Sequence, residues 1–453
     1  MNKSKSNLTI EDNENDFIYQ KKKTGLNIQF NRVAFIFFIF FIIYTIYSIH
    51  LIKLGTLYSK VEKTNTSLIN EKLYRADIVD INGNYLAKTV NSIDIGLKTS
   101  DVINQKKLLL SLNLIFPNKD FDEIEKKMKQ KNFFYLEKKV SEENYEKLMK
   151  LGDKSLKPEE KVLRIYPQKN LFSHIIGQID NDNIGISGLE KSLNELLIKS
   201  RKPIRLTVDK DLQFLIREEL IKYQEIFKSK GSASILMDIH NGNILSLVSL
   251  PDFDPNERQN LTDVNYINRV TKGTYELGSV FKAFTFASAL NEKLIKPETE
   301  FLNLPKSINC YGFPIREYDN EIPSDLTAEQ IFVRSGNIGS VRIAQKVGPE
   351  KFKSFLEKIG VLSDIQFDIE EVAPQKNYNF GKCKLATASF GHGVATTILQ
   401  LAKGYAILSN GGYDLKPTLV KNKSEENIKK KRILNEGVSE QVVDALRKIV
   451  STE

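Results

Sequence analysis

A serine and a lysine lie three residues apart in the stretch YELGSVFKAFTFASAL, residues 275–290. If the stretch is helical, this spacing puts both side chains on one face, about 5–6 Å apart at Cβ. A serine hydroxyl is a weak nucleophile that needs a neighbouring base, and a lysine can be that base when burial lowers its pKa. The pattern therefore predicts that Ser279 is a nucleophile activated by Lys282.

The residues around Lys282 favour its burial. Phe281, Phe284 and Phe286 make the predicted helix apolar around most of its circumference, so we expect the lysine to be neutral in the resting protein. In this lysine-rich chain, Ser-x-x-Lys occurs only at Ser279. The alternative is an ordinary helix start, with the serine as N-cap and the lysine reaching outward to water.

A second polar group is needed to pass the proton to a leaving amine and to hold the substrate. Among the Ser-x-Asn patterns, only that of RSGNIGSVRIAQKVG opens an amphipathic helix, and its serine follows Ser279 by 56 residues. We therefore predict a catalytic role for Ser335 and a substrate-binding role for Asn337, beside a cleft with Ser279 on its floor. The other Ser-x-Asn patterns, interpreted as loop or cap residues, begin at Ser111, Ser192 and Ser307.

Several elements must position these residues. Residues 74–90, YRADIVDINGNYLAKTV, predict two strands joined by a tight turn at Asn82-Gly83. Residues 101–165 are lysine-rich with periodic Leu, Ile and Phe, which predicts a mainly helical region. A domain border is expected around residues 199–203.

A second group of elements follows that border. Residues 206–227 predict an amphipathic helix with Thr207 or Asp209 as its N-cap. Residues 232–253 predict a second hairpin, with its turn at Asn241-Gly242. A helix, a hairpin and then a long helical region with Ser279 indicate an antiparallel sheet with helices packed on it.

One long apolar stretch lies near the N-terminus. Residues 33–52, VAFIFFIFFIIYTIYSIHLI, lack Asp, Glu, Lys and Arg and are long enough to span a membrane. A core helix is rarely apolar on every face, and no small-x-small cleavage site follows before Lys53. We therefore predict an uncleaved anchor at 33–52, a cytoplasmic tail at 1–32 and a body outside the inner membrane.

Composition excludes several classes of function. The 453 residues have room for two or three domains, and the net charge of +9 is spread along the chain without an aromatic-basic stripe or a nucleic-acid motif. Four scattered histidines without HExxH predict no metal site, and nothing predicts a cofactor. Cys310 and Cys383 could form a single bridge, which the sequence does not decide.

With these motifs the chain resembles the class B penicillin-binding proteins, which are serine D,D-transpeptidases that crosslink peptidoglycan. It is most similar to the cell-division member, and the elongation-specific paralogue is the nearer rival. Small departures are Ala76, Ile81 and Leu277, where the family usually has glycine, arginine and proline. The stretches that carry the resemblance are RADIVDINGNYLA, RIYPQKNLFSHIIG, GISGLEKSL, LTVDKDLQ, MDIHNGNILSLVSLPDFDPN, YELGSVFK, SGN and FGHGVATTILQLAKGYAILSNGG.

The resemblance implies an α/β (α+β) fold of the penicillin-binding/β-lactamase type. It predicts a dimerisation-type pedestal at 55–200 and a transpeptidase domain at 203–453. Its substrates would be peptidoglycan stem peptides, β-lactams would acylate it, and no cofactor is implied. Expected partners are the inner membrane, a lipid-II-using glycosyltransferase and divisome proteins, with the catalytic domain in the periplasm.

One departure from the family is large. The third family motif, Lys-Thr/Ser-Gly, lies on a strand beyond the helix VVDALRKIVSTE, and the chain stops before it. Lys23-Thr24-Gly25 matches the letters but precedes the predicted membrane span. We therefore expect a C-terminally incomplete transpeptidase domain with an open sheet edge, inactive as it stands.

Two other functions compete with this interpretation. A β-lactamase needs a carboxylate that hydrolyses the acyl-enzyme. Glu190-x-x-Leu193-Asn194 spells such a motif but precedes Ser279, whereas the β-lactamase motif follows its serine. A non-catalytic scaffold or sensor would keep the fold without turnover, and the absent third motif favours that alternative.

Overall fold

A computed structural model describes residues 34–53, 74–257, 266–369, 378–421 and 431–451. The chain forms two compact units, residues 1–72 and 73–453. In the first unit, helix α1 (Ala34–Lys53) has a mean hydropathy of 2.3, and its apolar segment is not buried inside the protein. Its length and composition suffice to cross a membrane. The predicted tail, residues 1–32, lies outside the described residues.

The second unit begins with the predicted pedestal, whose five-stranded sheet also includes β5, just beyond the border expected around residues 199–203. The sheet runs in the order β3-β2-β1-β5, with β4 also paired to β2. Strand β1 pairs in parallel with β5, and the other pairs are antiparallel. The strands are β1 (Ile78–Val79), β2 (Tyr85–Lys98), β3 (Phe133–Val140), β4 (Leu156–Ile165) and β5 (Ile204–Arg205).

The hairpin predicted at Asn82-Gly83 is confirmed. Ile78 pairs with Ala87 across the turn, and Gly83 has φ +93°, which a glycine adopts without a Cβ penalty. The Asp80 carboxylate accepts hydrogen bonds from the backbone N–H groups of Asn82 (2.9 Å) and Asn84 (2.7 Å). A short side chain thus closes the turn locally, which is why the sequence could predict it.

The prediction for residues 101–165 is wrong in part, because β3 and the long β4 lie among the helices. Strand β3 buries Phe134 and Leu136 and exposes Phe133, which is the period of two that a half-buried strand requires. Both strands also contain runs of lysine and glutamate, at 137–139 and 159–161, which resemble the surface of a helix. The helices of this region are α2 (Gln105–Ile115), α3 (Phe121–Gln130) and α4 (Glu142–Lys150).

The hairpin predicted at Asn241-Gly242 is also confirmed, and a long helix precedes it. The N-cap of that helix is Asp209, whose carboxylate accepts from two backbone N–H groups. Thr207, the other candidate, instead donates its buried hydroxyl to the Ile244 carbonyl, 2.7 Å away. The elements are α5 (Ser173–Ile176), α6 (Gly188–Ser192), α7 (Asn194–Lys199), α8 (Lys210–Phe227), β6 (Ser232–Met237) and β7 (Ile244–Leu250).

Short strands and helices of the remaining part surround one apolar helix, α9. All its residues from Lys282 to Leu290 are buried, and Phe281 and Phe284 lie in the main hydrophobic core. The strands are β8 (Thr274–Glu276), β9 (Glu300–Phe301), β10 (Ser307–Cys310), β11 (Phe313–Arg316), β12 (Leu326–Thr327) and β13 (Ala395–Thr397). The helices are α9 (Lys282–Asn291), α10 (Ala328–Val333), α11 (Asn337–Val347), α12 (Pro349–Lys358), α13 (Lys382–Ala388), α14 (Ile398–Ser409) and α15 (Val438–Ser451).

Candidate active site

Ser279 lies on a 3-10 turn, Gly278–Phe281, that joins β8 to α9. Strand β8 pairs with β13. Gly391, just before β13, packs so closely on the turn that a Cβ at this position would lie 2.1 Å from the Gly278 carbonyl oxygen. No side chain caps the turn or α9, so Ser279 is not the N-cap that the alternative interpretation required. Its side chain is exposed and therefore accessible to a substrate.

A tyrosine on α14 supports the same turn from the other side. The Tyr405 hydroxyl donates to the Val280 carbonyl at 2.6 Å, and its ring packs edge-on against Phe284. Burial raises the pKa of Tyr405 to about 12, so it remains a proton donor at neutral pH. The backbone next to Ser279 is thus fixed by α14 as well as by α9.

Lys282 begins α9 and does not reach outward, because its side chain is only 2% exposed. Its Nζ donates to the Ser279 hydroxyl at 3.2 Å and to the Ser335 hydroxyl at 2.9 Å. A third bond joins Nζ to the Ser335 carbonyl oxygen at 2.5 Å. An ammonium has three donors, and these three acceptors match them.

Burial lowers the pKa of Lys282 to about 8, and the charge of Glu317 acts in the opposite direction. The lowered pKa agrees in direction with the expectation of a neutral lysine, which stays a prediction. At pH 7 a pKa of about 8 leaves roughly one molecule in ten neutral. This minority form is the one that can accept the serine proton.

Ser335 and Asn337 lie where α10 ends and α11 begins. Ser335 has φ +54°, an uncommon conformation for a residue with a Cβ, and this backbone brings both its hydroxyl and its carbonyl to Lys282. The Asn337 side-chain amide donates to the Arg316 carbonyl at 2.9 Å. The structure thus brings Ser279, Lys282 and Ser335 together and places Asn337 beside them, at the end of β11.

Sequence reasoning missed the segment after β11. The Glu317 carboxylate accepts from the backbone N–H groups of Asn337 (2.6 Å) and Ile338 (2.8 Å). A disulfide joins Cys310, on the same hairpin, to Cys383 on α13, with Cα atoms 5.6 Å apart. No local pattern pointed to Glu317, because it reaches α11 from 20 residues earlier in the chain.

The structure also shows where the two residues of the β-lactamase-like motif, Glu190 and Asn194, lie. Glu190 lies in the pedestal, fully buried, and pairs with Arg75 at 2.7 Å and with Arg164 at 2.7 Å. Asn194 accepts from the same Arg75 guanidinium at 2.7 Å. The motif letters therefore belong to a buried ion cluster that holds pedestal segments together.

Chemically, the arrangement suits acyl transfer. An exposed hydroxyl, a buried amine with a lowered pKa and a second hydroxyl share one set of hydrogen bonds. The amine can take the proton of Ser279, and Ser335 offers a path by which a proton reaches a leaving group.

Two family models match the chain. The penicillin binding protein transpeptidase domain matches residues 232–453, and the penicillin-binding protein dimerisation domain matches residues 71–224. Together they account for most of the second compact unit.

Curated relatives agree with these matches at low identity. The chain is 27% identical over 379 residues to the probable peptidoglycan D,D-transpeptidase FtsI of Caulobacter vibrioides, covering 82% of this chain and 64% of that protein. It is 27% identical to the penicillin-binding protein PbpB of Mycolicibacterium smegmatis, covering 58% of this chain and 45% of that protein. It is 25% identical to stage V sporulation protein D of Bacillus subtilis, covering 83% and 65%. The chain thus spans between about half and two thirds of their lengths.

Proposed function

Because the chain belongs to the class B penicillin-binding proteins, we propose that it is a peptidoglycan D,D-transpeptidase that acts through an acyl-enzyme on Ser279. The observation that carries the proposal is the position of Lys282 Nζ, within 3.2 Å of the Ser279 hydroxyl and 2.9 Å of the Ser335 hydroxyl. A buried amine between two hydroxyls is an acceptor and a relay for the proton of the nucleophile.

The first half of the reaction forms the acyl-enzyme. Neutral Lys282 takes the Ser279 proton while Oγ attacks the carbonyl carbon of the penultimate D-alanine of a stem peptide. The tetrahedral intermediate then expels the terminal D-alanine as an amine, which receives a proton from Lys282 by way of Ser335. Oγ is left in an ester bond with the shortened peptide.

The second half transfers the peptide. An amine of a neighbouring stem peptide loses a proton to the same base and attacks the ester carbon. The new amide bond forms as Ser279 leaves and regains its proton, so the enzyme returns to its starting state. Water in place of the amine would give the carboxypeptidase reaction.

Covalent labelling tests this proposal. In the protein extended through the Lys-Thr/Ser-Gly motif, a fluorescent penicillin should label the wild type, and Ser279→Ala should abolish the label because the ester oxygen is gone. Ser288→Ala is a matched control, since this buried serine of α9 donates only to the Thr285 carbonyl. Gel fluorescence with mass spectrometry of the labelled peptide measures the result. A labelled Ser279→Ala protein would contradict the assignment.

We also propose a septal role, in a single-pass protein whose body faces outward from the inner membrane. The FtsI relative and the apolar α1 helix support this proposal. The elongation role remains the alternative, and a fluorescent fusion distinguishes them by accumulating at division sites or along the lateral wall. A glycosyltransferase partner and the inactivity of these 453 residues as they stand remain predictions.

A further inference from the structure

We propose, building on the proposed function, that Glu317 is a positioning residue that holds the Ser335–Asn337 segment against Lys282. Glu317 follows β11 and lies half-buried beside the start of α11. It contacts no reacting atom in the proposed mechanism. Its role is to fix the position of the Ser335 hydroxyl.

The contact replaces a cap that α11 lacks. The first N–H groups of a helix have no partner within the helix and are usually satisfied by a side chain at the N-cap. The N-cap of α11 is Gly336, which has no side chain. Glu317 supplies the acceptors instead, with Oε2 at 2.6 Å from the Asn337 nitrogen and Oε1 at 2.8 Å from the Ile338 nitrogen.

One further hydrogen bond ties the same point to the β10–β11 hairpin, and a disulfide ties that hairpin to α13. The Asn337 side chain donates to the Arg316 carbonyl at 2.9 Å, next to Glu317. The hairpin is joined to α13 through Cys310 and Cys383. The backbone amide and the side chain of Asn337 are therefore both held from the hairpin side. Ser335 lies two residues earlier, so the same contacts fix its position.

Glu317 also acts on Lys282 through its charge. Around Lys282, the 3-10 turn offers the Ser279 hydroxyl, the loop before α11 offers the Ser335 hydroxyl and carbonyl, and the segment after β11 offers the Glu317 carboxylate. A carboxylate favours the ammonium form, so its removal lowers the pKa of Lys282 further. One residue thus influences both the position of Ser335 and the protonation of the base.

Three variants of the same extended protein test the proposal: Glu317→Gln, Glu317→Asp and the matched control Glu321→Gln. Glu321 is an exposed acid on the same segment. The rate of acylation by a fluorescent penicillin is measured from pH 6 to 9.5. Amide hydrogen exchange is followed by mass spectrometry in peptides covering residues 334–341.

We expect Glu317→Gln to slow acylation by about 10- to 100-fold, since small displacements of catalytic groups cost this much. Its pH profile should shift to lower pH, and the amides of Asn337 and Ile338 should exchange faster. Glu317→Asp keeps the charge, so its profile should stay in place while its rate falls less. Glu321→Gln should match the wild type in all three measurements.

Normal exchange and an unshifted profile for Glu317→Gln would overturn the proposal, even if its rate fell. Failure of the proposed function looks different, because the wild type would then remain unlabelled or Ser279→Ala would be labelled. In that case the exchange measurement still decides whether Glu317 holds the start of α11.

Discussion

At the scale of single residues, burial and charge oppose each other on Lys282. Removal of the ammonium from water lowers its pKa, and the Glu317 carboxylate limits that decrease, with a result of about 8. A base whose pKa lies near the working pH combines a usable neutral population with enough basicity to take a proton. The site therefore needs both the apolar surroundings of α9 and the nearby acid.

The rate of acylation should rise with pH through a midpoint near 8. In the proposed mechanism the neutral lysine is the active form, and its fraction grows as pH rises through the lowered pKa. Stopped-flow labelling between pH 6 and 9.5 measures the midpoint. Lys282→Arg should lose at least about 10²-fold across this range, because a guanidinium does not give up its proton. A flat profile, or a fast arginine variant, would argue against Lys282 as the base.

The sequence allowed Ser279 and Lys282 to be predicted together, because their juxtaposition depends only on helical spacing. Ser335 could be assigned from the helix that follows it. Glu317 could not, since its partner N–H groups lie on another element and no pattern links the two. The extent to which Lys282 is charged also required the position of that acid.

At the scale of elements, the β10–β11 hairpin links the site to the rest of the domain. Its strands pair from Ser307 with Arg316 to Cys310 with Phe313, and the hairpin ends at the Glu317 contact. The disulfide closes a separation of 73 residues, between Cys310 and Cys383. A cross-link over such a length limits the unfolded chain and holds the hairpin to α13.

Removal of the bridge should lower the melting temperature. The double variant Cys310→Ser, Cys383→Ser should lose about 2–4 kcal/mol of unfolding free energy, the usual effect of a native disulfide. Differential scanning fluorimetry with and without reductant measures the change. Reductant should destabilise the wild type and leave the double variant unchanged. Equal melting temperatures for both proteins in both conditions would show that the bridge does not contribute.

The sequence did not predict strands β3 and β4, and the reason is the same for both. Strand β4 reads LKPEEKVLRI and pairs with β2 along its whole length, from Leu156 to Ile165. Lys157, Glu159 and Glu160 are exposed, whereas Arg164 is buried beside Glu190, so no simple alternation of apolar and polar residues marks the period of two. The two hairpins were predictable because each has a glycine with positive φ in its turn, Gly83 or Gly242, whereas a charged strand is fixed by its partner.

At the scale of the whole molecule, the pedestal and the transpeptidase part share contacts within one compact unit. The Asn256 side chain bonds both the backbone nitrogen (2.9 Å) and the carbonyl oxygen (3.0 Å) of Tyr166. Leu206, after β5, forms a β-bridge with Val420. These contacts link the stability of the pedestal to that of the transpeptidase part.

The Glu190 cluster should be the most sensitive point of the pedestal. Glu190→Gln leaves Arg75 and Arg164 buried without their counter-charge, which typically costs about 3–5 kcal/mol. The matched control is Glu195→Gln on α7, whose pair with Lys199 is exposed. Urea unfolding followed by circular dichroism measures both variants. The control should unfold at the same urea concentration as the wild type, because its ion pair is exposed to solvent. An equally unchanged midpoint for Glu190→Gln would contradict the argument.

The bridge between Cys310 and Cys383 also sets a condition on when the protein matures. Disulfides form and persist in oxidising compartments and stay open in a reducing cytosol. A newly made chain therefore acquires this cross-link only where a thiol oxidant can reach it, after the stretch from 310 to 383 has emerged and folded. The supply of that oxidant therefore determines which fraction of molecules carries the disulfide. The choice of host and compartment for producing the protein has the same effect.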